Sequence, residues 1–482
     1  MIETHVSTVF FAADRAYKLL KPIATSFLDH RSVEQRLSGA EAELALNRRM
    51  APDVYLGSAD VVEDGRVVDR MVVMRRLPAE RRLTEVVAGP DGADCVRAVA
   101  RAVAVFHEAQ PPLPDAAAIA GRDAVAGNWR DNLADMRPLV GDVFDPVDAA
   151  EVEELAERYL AHRDPLFRSR LADGFVRDGH GDIIAEDVFC LADGPRIIDC
   201  LAFDERLRIA DVLADVGFLA MDLERLGRGE LAADLLSTYC ELTNEHHPAS
   251  LANHYIAYRA HVRAKVAAIR HGQGDPDAAD TARRYHDLCL RRLRLADPRL
   301  IMVGGTPGTG KSTLAAGLSS VTGAMVLGTD ELRKDLAGRG HLERHGGGAD
   351  EGIYDPAVTE RTYDELLARA GTLLSNGESV IVDGSWNRAS LRRQARSVGR
   401  DHGASVVELR CTVPDDEARR RVAARLLADD DPSDARPDLV DELGRRYEPW
   451  PDAVEIDTTG DAADVVGRAL THRLLRTFVA GS

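Results

Sequence analysis

The stretch Gly305-Thr306-Pro307-Gly308-Thr309-Gly310-Lys311-Ser312 constrains this chain more than any other. It reads G-x-x-x-x-G-K-S, a pattern whose weight depends on its flanks. Leu300-Ile301-Met302-Val303 ahead of it is an apolar run suited to a buried strand. Thr313-Leu314-Ala315-Ala316-Gly317-Leu318 behind it suits a helix. A glycine loop between strand and helix wraps a phosphate in backbone N–H groups, and the helix N-terminus adds partial positive charge. In that context Lys311 reaches the β- and γ-phosphates of ATP, and the Ser312 hydroxyl holds Mg2+. The expected nucleotide-binding set runs from Gly305 through Thr313. A chance glycine turn would not account for both flanks.

Length and charge bound the rest. At 482 residues the chain exceeds one ordinary core, and a length prior gives about three units of ~150 residues. A composition of 45% hydrophobic and 29% charged residues describes a globular protein. The net charge of −19 argues against a general nucleic-acid or anionic-membrane binder, while leaving room for a local basic pocket. Six cysteines are scattered with no C-x-x-C, which fits reduced thiols in a cytoplasm and neither a disulfide framework nor a zinc site. The opening residues read as a strand and not a signal peptide, and no apolar run reaches the ~18 residues of a membrane span. Among 61 basic residues only five are lysines: Lys18, Lys21, Lys265, Lys311 and Lys334. Where arginine fills nearly every cationic role, a remaining lysine is a candidate for work that needs a compact ammonium. That singles out Lys18 and Lys21 beside Lys311.

Residues 5–21 read as a hairpin turning at 12–15, and residues 31–50 as a helix carrying Glu41 and Glu43. A second hairpin spans 61–77 with its turn at Glu63-Asp64-Gly65. Residues 95–108 are strongly helical, 110–127 are loop-like, and further helices run to about 171. Then comes His180-Gly181-Asp182, with Asp187 five residues on and Asp199 closing the next strand-like run. In this spacing Asp182 can accept a hydroxyl proton, and Asp187 and Asp199 can hold Mg2+ on ATP. A pair of acidic turns is the plainer alternative. Residues 206–293 are mostly helical. Tyr255, Tyr258, Arg259, Arg263 and Lys265 make a basic-aromatic helix, read as a solvated, partly packed helix rather than a nucleic-acid face.

Ala16-Tyr17-Lys18, Glu43, His180-Gly181-Asp182 and Ile198-Asp199 together resemble the aminoglycoside-phosphotransferase-like branch of the protein-kinase fold. Glu3-Thr4-His5-Val6-Ser7, Lys21-Pro22, Asn47-Arg48-Arg49, Tyr258-Arg259-Ala260 and Arg263-Ala264-Lys265 resemble one bacterial family in particular. That family joins such a domain to a C-terminal P-loop kinase-like domain. The resemblance spans essentially the whole chain. It implies that Lys18, or alternatively Lys21, binds the α/β-phosphates and pairs with Glu43. It further implies Asp182 as base, Asp187 and Asp199 as metal ligands, and Met74–Leu77 as the hinge for adenine. The chain departs from the pattern at several points. Asp187 replaces the usual asparagine, Ile183-Ile184-Ala185 replace polar residues, Ala202 stands where glutamate is frequent, and the first hairpin has no glycine. Each departure weakens the case for turnover, so an active and a degenerate N-terminal site both stay open.

Beyond residue 296 strands are expected at 300–303, 324–327, 379–382, 405–411 and 453–457, with helices between. This is the pattern of a parallel sheet covered on both faces, with functional groups at the strands' C-terminal ends. Asp330 follows the second strand and can accept a proton, with Arg333 one turn on to steady its charge; a helix N-cap is the alternative. Asp383 ends the third strand, placed to organise Mg2+. Arg421 and Arg425, at i and i+4 on one helix face, can close over the phosphates, or can simply be solvated. This set resembles the Zeta-toxin-like, gluconate- and shikimate-kinase-like and polynucleotide-kinase-like P-loop kinases. The resemblance implies Asp330 as general base, with Arg333 and Arg388 as substrate contacts. His341 and His345, at i and i+4 in a glycine-rich stretch, do not form H-E-x-x-H and are not expected to bind metal. Residues 339–356 are expected to form a loop near the acceptor.

The expected fold is therefore multidomain, α+β then α/β. A protein-kinase-like two-lobe fold (1–80 and 81–295) precedes a P-loop NTPase parallel-sheet domain (296–482). The expected activity is ATP- and Mg2+-dependent transfer of the γ-phosphoryl to a hydroxyl of a small molecule, in the cytoplasm, with chemistry in the C-terminal domain. Two alternatives stand beside it: an ATP-binding regulatory or stress protein with an N-terminal pseudokinase, and a polynucleotide 5′-hydroxyl kinase. The sequence does not name the acceptor or the oligomeric state.

Overall fold

A computed structural model describes residues 1–3, 6–24, 28–338, 355–428, 442 and 444–479. The glycine-rich stretch with His341 and His345, and most of the expected acceptor loop, lie outside these residues. The chain forms two compact units. One comprises Met1–Ala150, Phe167–His247 and Ala252–Leu290; the other comprises Glu151–Leu166, Pro248–Leu251 and Arg291–Ser482.

The first unit opens with β1 (Ile2–Glu3), β2 (Ser7–Ala12), β3 (Arg15–Leu20), β4 (Tyr55–Glu63) and β5 (Arg66–Arg75). They make an antiparallel sheet in the order β1-β2-β3-β5-β4. The β4–β5 hairpin turns through Asp64 (φ 49°) and Gly65 (φ 78°), positive angles that match strand twist in a two-residue turn. The helix Val33–Asn47 starts at a capping box, in which Ser32 and Gln35 satisfy each other's backbone N–H groups. Ala16, Val72, Met74, Ala40 and Tyr55 close the core between this helix and the sheet.

The rest of this unit is helical. Its main helices are Gly92–Ala109, Arg122–Met136, Val212–Arg225, Gly229–Thr243 and Ala249–Gly272. Residues 110–127 are not all loop. Short helix Ala117–Ala120 and the start of Arg122–Met136 fall there, because Ala120 turns inward with Leu171 and Val176, and Ala116 packs against them, despite the Pro- and Ala-rich composition. Two small antiparallel pairs frame the acidic loop: β6 (Val176–Asp178) with β9 (Ile209–Asp211), and β7 (Val188–Leu191) with β8 (Gly194–Ile197).

The second unit holds β10 (Arg299–Gly304), β11 (Met325–Gly328), β12 (Val380–Asp383), β13 (Ser405–Thr412) and β14 (Val454–Asp457). All pair in parallel, in the order β11-β12-β10-β13-β14. Every residue of β10 is buried, as a central strand covered on both faces requires. Alternation sends Leu300, Met302, Val380 and Val382 into one core layer with Tyr363, Leu366 and Leu391. Ile301, Val303, Ile381 and Leu409 enter the other with Leu314, Leu318 and Val466. Each such side chain contributes roughly 1.5–3 kcal/mol over leaving it exposed. The segment Glu151–Leu166 belongs to this unit because Arg163, 0% exposed, donates to His402 O at 2.8 Å and Gly403 O at 3.2 Å. The five strands fall within two residues of the expected positions. Among the described residues no helix is long and apolar enough to cross a membrane, and all six cysteines are free.

Candidate functional sites

In the second unit β10 runs into the loop 305–310, and Lys311 opens the helix Lys311–Thr322. Gly308 sits at φ 84°, and a Cβ there would overlap the Ala418 carbonyl, so only glycine lets the loop pass. Lys311 Nζ donates to Thr306 O at 3.1 Å. Thr458 Oγ1 donates to Thr309 O at 2.8 Å and ties the loop to the end of β14.

Strand register decides what meets this loop. Val303 of β10 and Gly328 of β11 both stand opposite Asp383 of β12. Asp383 is 9% exposed and accepts from the Ser312 hydroxyl. Burial pushes its carboxyl up, while Lys311 and Ser312 pull it down. A buried carboxylate beside a hydroxyl at a phosphate loop is a hard-oxygen donor set, which suits Mg2+. Asp330 is the second residue of the helix Thr329–Leu336; the cap position belongs to Gly328, so Asp330 is not the N-cap. Its Oδ1 meets Arg333 Nη1 at 3.0 Å, with Arg333 buried and Asp330 more than a third exposed. Its charge reaches Asp383.

A cavity of about 420 Å³ opens over the loop, lined among others by Gly310, Lys311, Ser312, Arg421, Arg425 and Thr458. Arg421 is held in place, its Nε donating to Glu417 Oε1 at 2.7 Å and its Nη2 to Thr458 O at 3.0 Å. Thr306 and Pro307 belong to the same loop, and Thr313 lines the cavity. Arg388 lies at the start of the helix Ala389–Asp401 and pairs with Glu360 at 3.2 Å.

Sequence reasoning missed Gly384-Ser385-Trp386. Trp386 is fully buried at φ 50°, its indole N–H donating to Val382 O at 3.1 Å and its backbone N–H to Tyr363 OH at 3.2 Å. Gly305 N in turn donates to Ser385 O at 3.3 Å. This strained turn props the phosphate loop, and no local pattern announces it.

In the first unit Lys18 stands on β3 opposite Val9 and Val72. Its Nζ lies 2.9 Å from Glu43 Oε1 and 2.5 Å from Asp199 Oδ1. Lys21, beyond the strand end, pairs instead with the exposed Glu3 at 2.7 Å. Burial opposes the charge on Lys18, but Asp199 and Glu43 outweigh it and hold the ammonium well above its ordinary value. Asp199 takes φ 66°, and its backbone N–H donates to Tyr55 OH at 3.1 Å.

The loop 179–187 hangs on two buried carboxylates that sequence reasoning did not select. Asp215 accepts from His180 N at 2.6 Å and Gly181 N at 2.7 Å, and meets His107 Nε2 at 3.2 Å. A Cβ on Gly179 would overlap the Asp215 carboxylate. Asp222 accepts from Ala185 N at 2.9 Å and Arg225 Nε at 2.6 Å. Their signal was present in Leu213-Ala214-Asp215-Val216-Gly217-Phe218-Leu219-Ala220-Met221-Asp222, since a carboxylate inside an apolar helix must find buried donors.

Asp182 Oδ1 is buried without a hydrogen-bond partner. Burial raises its carboxyl to about 6, with Asp199 and Asp222 adding to the rise and Arg263 and Arg259 opposing it. Asp187 is pushed up further by burial, Asp199 and Asp182. Three crowded carboxylates with one lysine among them form a donor set that fits a divalent cation. Arg259 is buried and Arg263 half-buried: both guanidinium groups lie over the Phe218 ring, at 4.7 and 5.8 Å, and their charge acts on Asp182.

Two sites on two folds thus define the class: a protein-kinase-like two-lobed unit and a P-loop nucleotide-binding α/β unit on one chain. A family model described as an AAA domain matches residues 300–450. The uncharacterized protein Rv2004c of Mycobacterium tuberculosis (strain ATCC 25618 / H37Rv) is 38% identical over 469 residues, covering 97% of this chain and 94% of that protein. Among solved structures, the M. tuberculosis APS kinase CysC in complex with AMPPNP and APS is 22% identical, covering 37% of this chain and 98% of that one, at a TM-score of 0.28. A choline/ethanolamine kinase family protein from Mesorhizobium loti is 15% identical, covering 61% and 86%, at a TM-score of 0.37. The chain belongs to the family of the mycobacterial protein Rv2004c.

Proposed function

We propose that the protein is an ATP- and Mg2+-dependent phosphotransferase that places the γ-phosphoryl of ATP on a hydroxyl of a small molecule, with the chemistry in residues 296–482. The observation that carries this reading is the strand register that sets Val303, Asp383 and Gly328 side by side. It gathers Lys311, Ser312, Asp383 and Asp330 at one edge of the sheet. Asp330 takes the acceptor's proton as the new P–O bond forms and the bond to the β–γ bridging oxygen breaks. Arg333 orients Asp330 through their 3.0 Å pair, Lys311 neutralises phosphate charge, and Arg421 with Arg425 covers the reacting group. Mg2+, held by Ser312 and Asp383, would add charge neutralisation between the β- and γ-phosphates. Free thiols fit a reducing compartment such as the cytoplasm.

A second reading concerns residues 1–295, where Lys18, Glu43, Asp182, Asp187 and Asp199 make a kinase-like site with a nucleotide-binding or regulatory role. Its turn between β2 and β3 is Ala13-Asp14, with Asp14 76% exposed. A glycine-free turn carrying a negative charge is poorly suited to cover phosphates. The test is single-turnover transfer from γ-labelled ATP to pooled sugars, nucleosides, aminoglycosides and oligonucleotides. Transfer lost in Lys311→Ala and kept in Asp182→Ala is the expected result. Loss in Asp182→Ala alone moves the chemistry to the first unit, labelled oligonucleotides make the protein a polynucleotide kinase, and ATP binding without transfer makes it a regulator.

A further inference from the structure

At the end of the helix Gly229–Thr243 the chain turns through Asn244, a left-handed residue at φ 49° and ψ 35°. Glu245 N donates back to Cys240 O at 3.1 Å, the bond that closes such a helix end. The turn folds Glu245 and His247 onto Cys240. Cys240 Sγ lies 3.7 Å from Glu245 Oε2 and 3.8 Å from His247 Nδ1. His247 Nδ1 lies 3.3 Å from Glu245 Oε1. A tetrahedral zinc ion with Zn–S about 2.3 Å and Zn–N or Zn–O about 2.0–2.1 Å has ligand–ligand edges of about 3.3–3.6 Å. The thiol stands close to those edges from both Glu245 Oε2 and His247 Nδ1, and the three residues' donor atoms all lie within 4.8 Å of one another.

Charge points the same way. Arg170 donates to Asp211 through Nε and Nη2, both at 2.7 Å, and through Nη1 to Glu245 Oε1. One guanidinium thus faces two carboxylates, and Glu245 is 0% exposed. The pocket holds a buried negative charge in excess, which a bound cation would match. Arg170 also fixes the Glu245 carboxylate, leaving Oε2 turned to the thiol, as an outer partner orients a metal ligand.

We propose that Cys240, Glu245 and His247 form a binding site for one borderline-soft divalent cation, best matched by zinc, with a fourth position left for water. Thiolate, imidazole and carboxylate together select zinc or cobalt over magnesium or calcium, so this site is chemically separate from the oxygen-only sets at Asp383 and Asp199. The cysteine spacing in the sequence contains no zinc pattern; the left-handed helix end assembles the site. In the absence of a cation the Cys240 thiol is pushed up to about 12 by burial and by Glu245. Binding therefore releases the thiol proton, and affinity rises by about tenfold per pH unit near neutrality.

The test uses the full chain, stripped with a chelator and titrated with Co2+ and then Zn2+. The expected result is one equivalent of cobalt with a thiolate-to-metal charge-transfer band, displaced by zinc. The band vanishes in Cys240→Ser, and zinc affinity falls more than about 100-fold in His247→Ala, beyond the 10–100-fold cost of losing an outer partner. Circular dichroism shows whether each variant is folded, and the wild-type spectrum decides the matter even where one is not. No thiolate band at saturating cobalt, or a band that persists in folded Cys240→Ser, overturns the proposal.

Discussion

Lys18 and Lys311 sit in opposite surroundings. Lys18 is gripped by two carboxylates, 2.9 and 2.5 Å away, in a pocket where three further acidic or phenolic groups crowd each other. Lys311 donates to the Thr306 carbonyl, feels the Asp383 carboxylate without an ion-pair contact, and faces a cavity shared with Arg421 and Arg425. The first site gathers Glu43, Asp187 and Asp199 around Lys18, a donor set that fits a divalent cation. The second already has cationic and N–H donors around a space of nucleotide size. The difference teaches that matching motifs do not make matching sites, because the field around a lysine decides whether an anion is welcome there.

That contrast can be broken most sharply at Lys311. Lys311→Ala should lower single-turnover transfer by about 10²–10³-fold, the cost of one lost oxyanion donor. A larger loss in Lys18→Ala would reverse the comparison. Asp330→Asn should lower kcat by about 10²-fold with KM for ATP nearly unchanged, since it removes a base and no nucleotide contact. A matching rise in KM would make Asp330 structural instead. In the first unit, Asp215→Ala should destabilise by about 2–3 kcal/mol, because the His180 and Gly181 N–H groups lose their acceptor. Calorimetry should then show one of two transitions lowered, while transfer at low temperature persists.

A smaller effect tests the acidic pocket. Asp182 holds its proton up to about pH 6 when folded, above its ordinary value of 3.8. The folded state therefore binds more protons than the unfolded chain between those values, and this group's contribution to stability falls as pH rises from about 4 to 6. Urea titrations should show roughly 2 kcal/mol less of this decline in Asp182→Asn than in wild type. Added Mg2+ should flatten the wild-type decline if the pocket binds it. Smallest of all, Arg421→Lys should cost about tenfold in kcat: the charge stays, but the fork that holds Thr458 O is lost. An unchanged kcat would assign Arg421 to packing alone.

Much of both sites was legible because their residues are tied to local structure. The phosphate loop announces itself by Gly305, Gly310, Lys311 and Ser312 at fixed spacing, and Asp383 ends an apolar run. The choice between Lys18 and Lys21 stayed open in the sequence; the fold sets Lys18 against Glu43 and Asp199 and leaves Lys21, beyond the strand end, with Glu3. Asp215, Asp222 and Trp386 were not selected, because the sequence shows only that a polar or bulky group is present and not which distant backbone it meets. The basic-aromatic helix reads as solvated and partly packed, but the sequence does not say which of its charges pack; Phe218, about forty residues away in the chain, supplies the ring that Arg259 and Arg263 lie over.

The sequence by itself determined the two kinds of fold, the parallel order of strand and helix beyond residue 296, and the identity of the phosphate loop. The strand and helix order and the loop follow from periodicity and from a backbone turn that few residues can make; the first unit's fold was read from its resemblance to the aminoglycoside-phosphotransferase-like branch of the protein-kinase fold. Tertiary structure alone decided that Asp330 and Asp383 share one edge, that Lys18 is enclosed by carboxylates, and that Cys240 meets His247. Each depends on strand register or on a helix end, where a shift of one residue would send the same side chains to different neighbours.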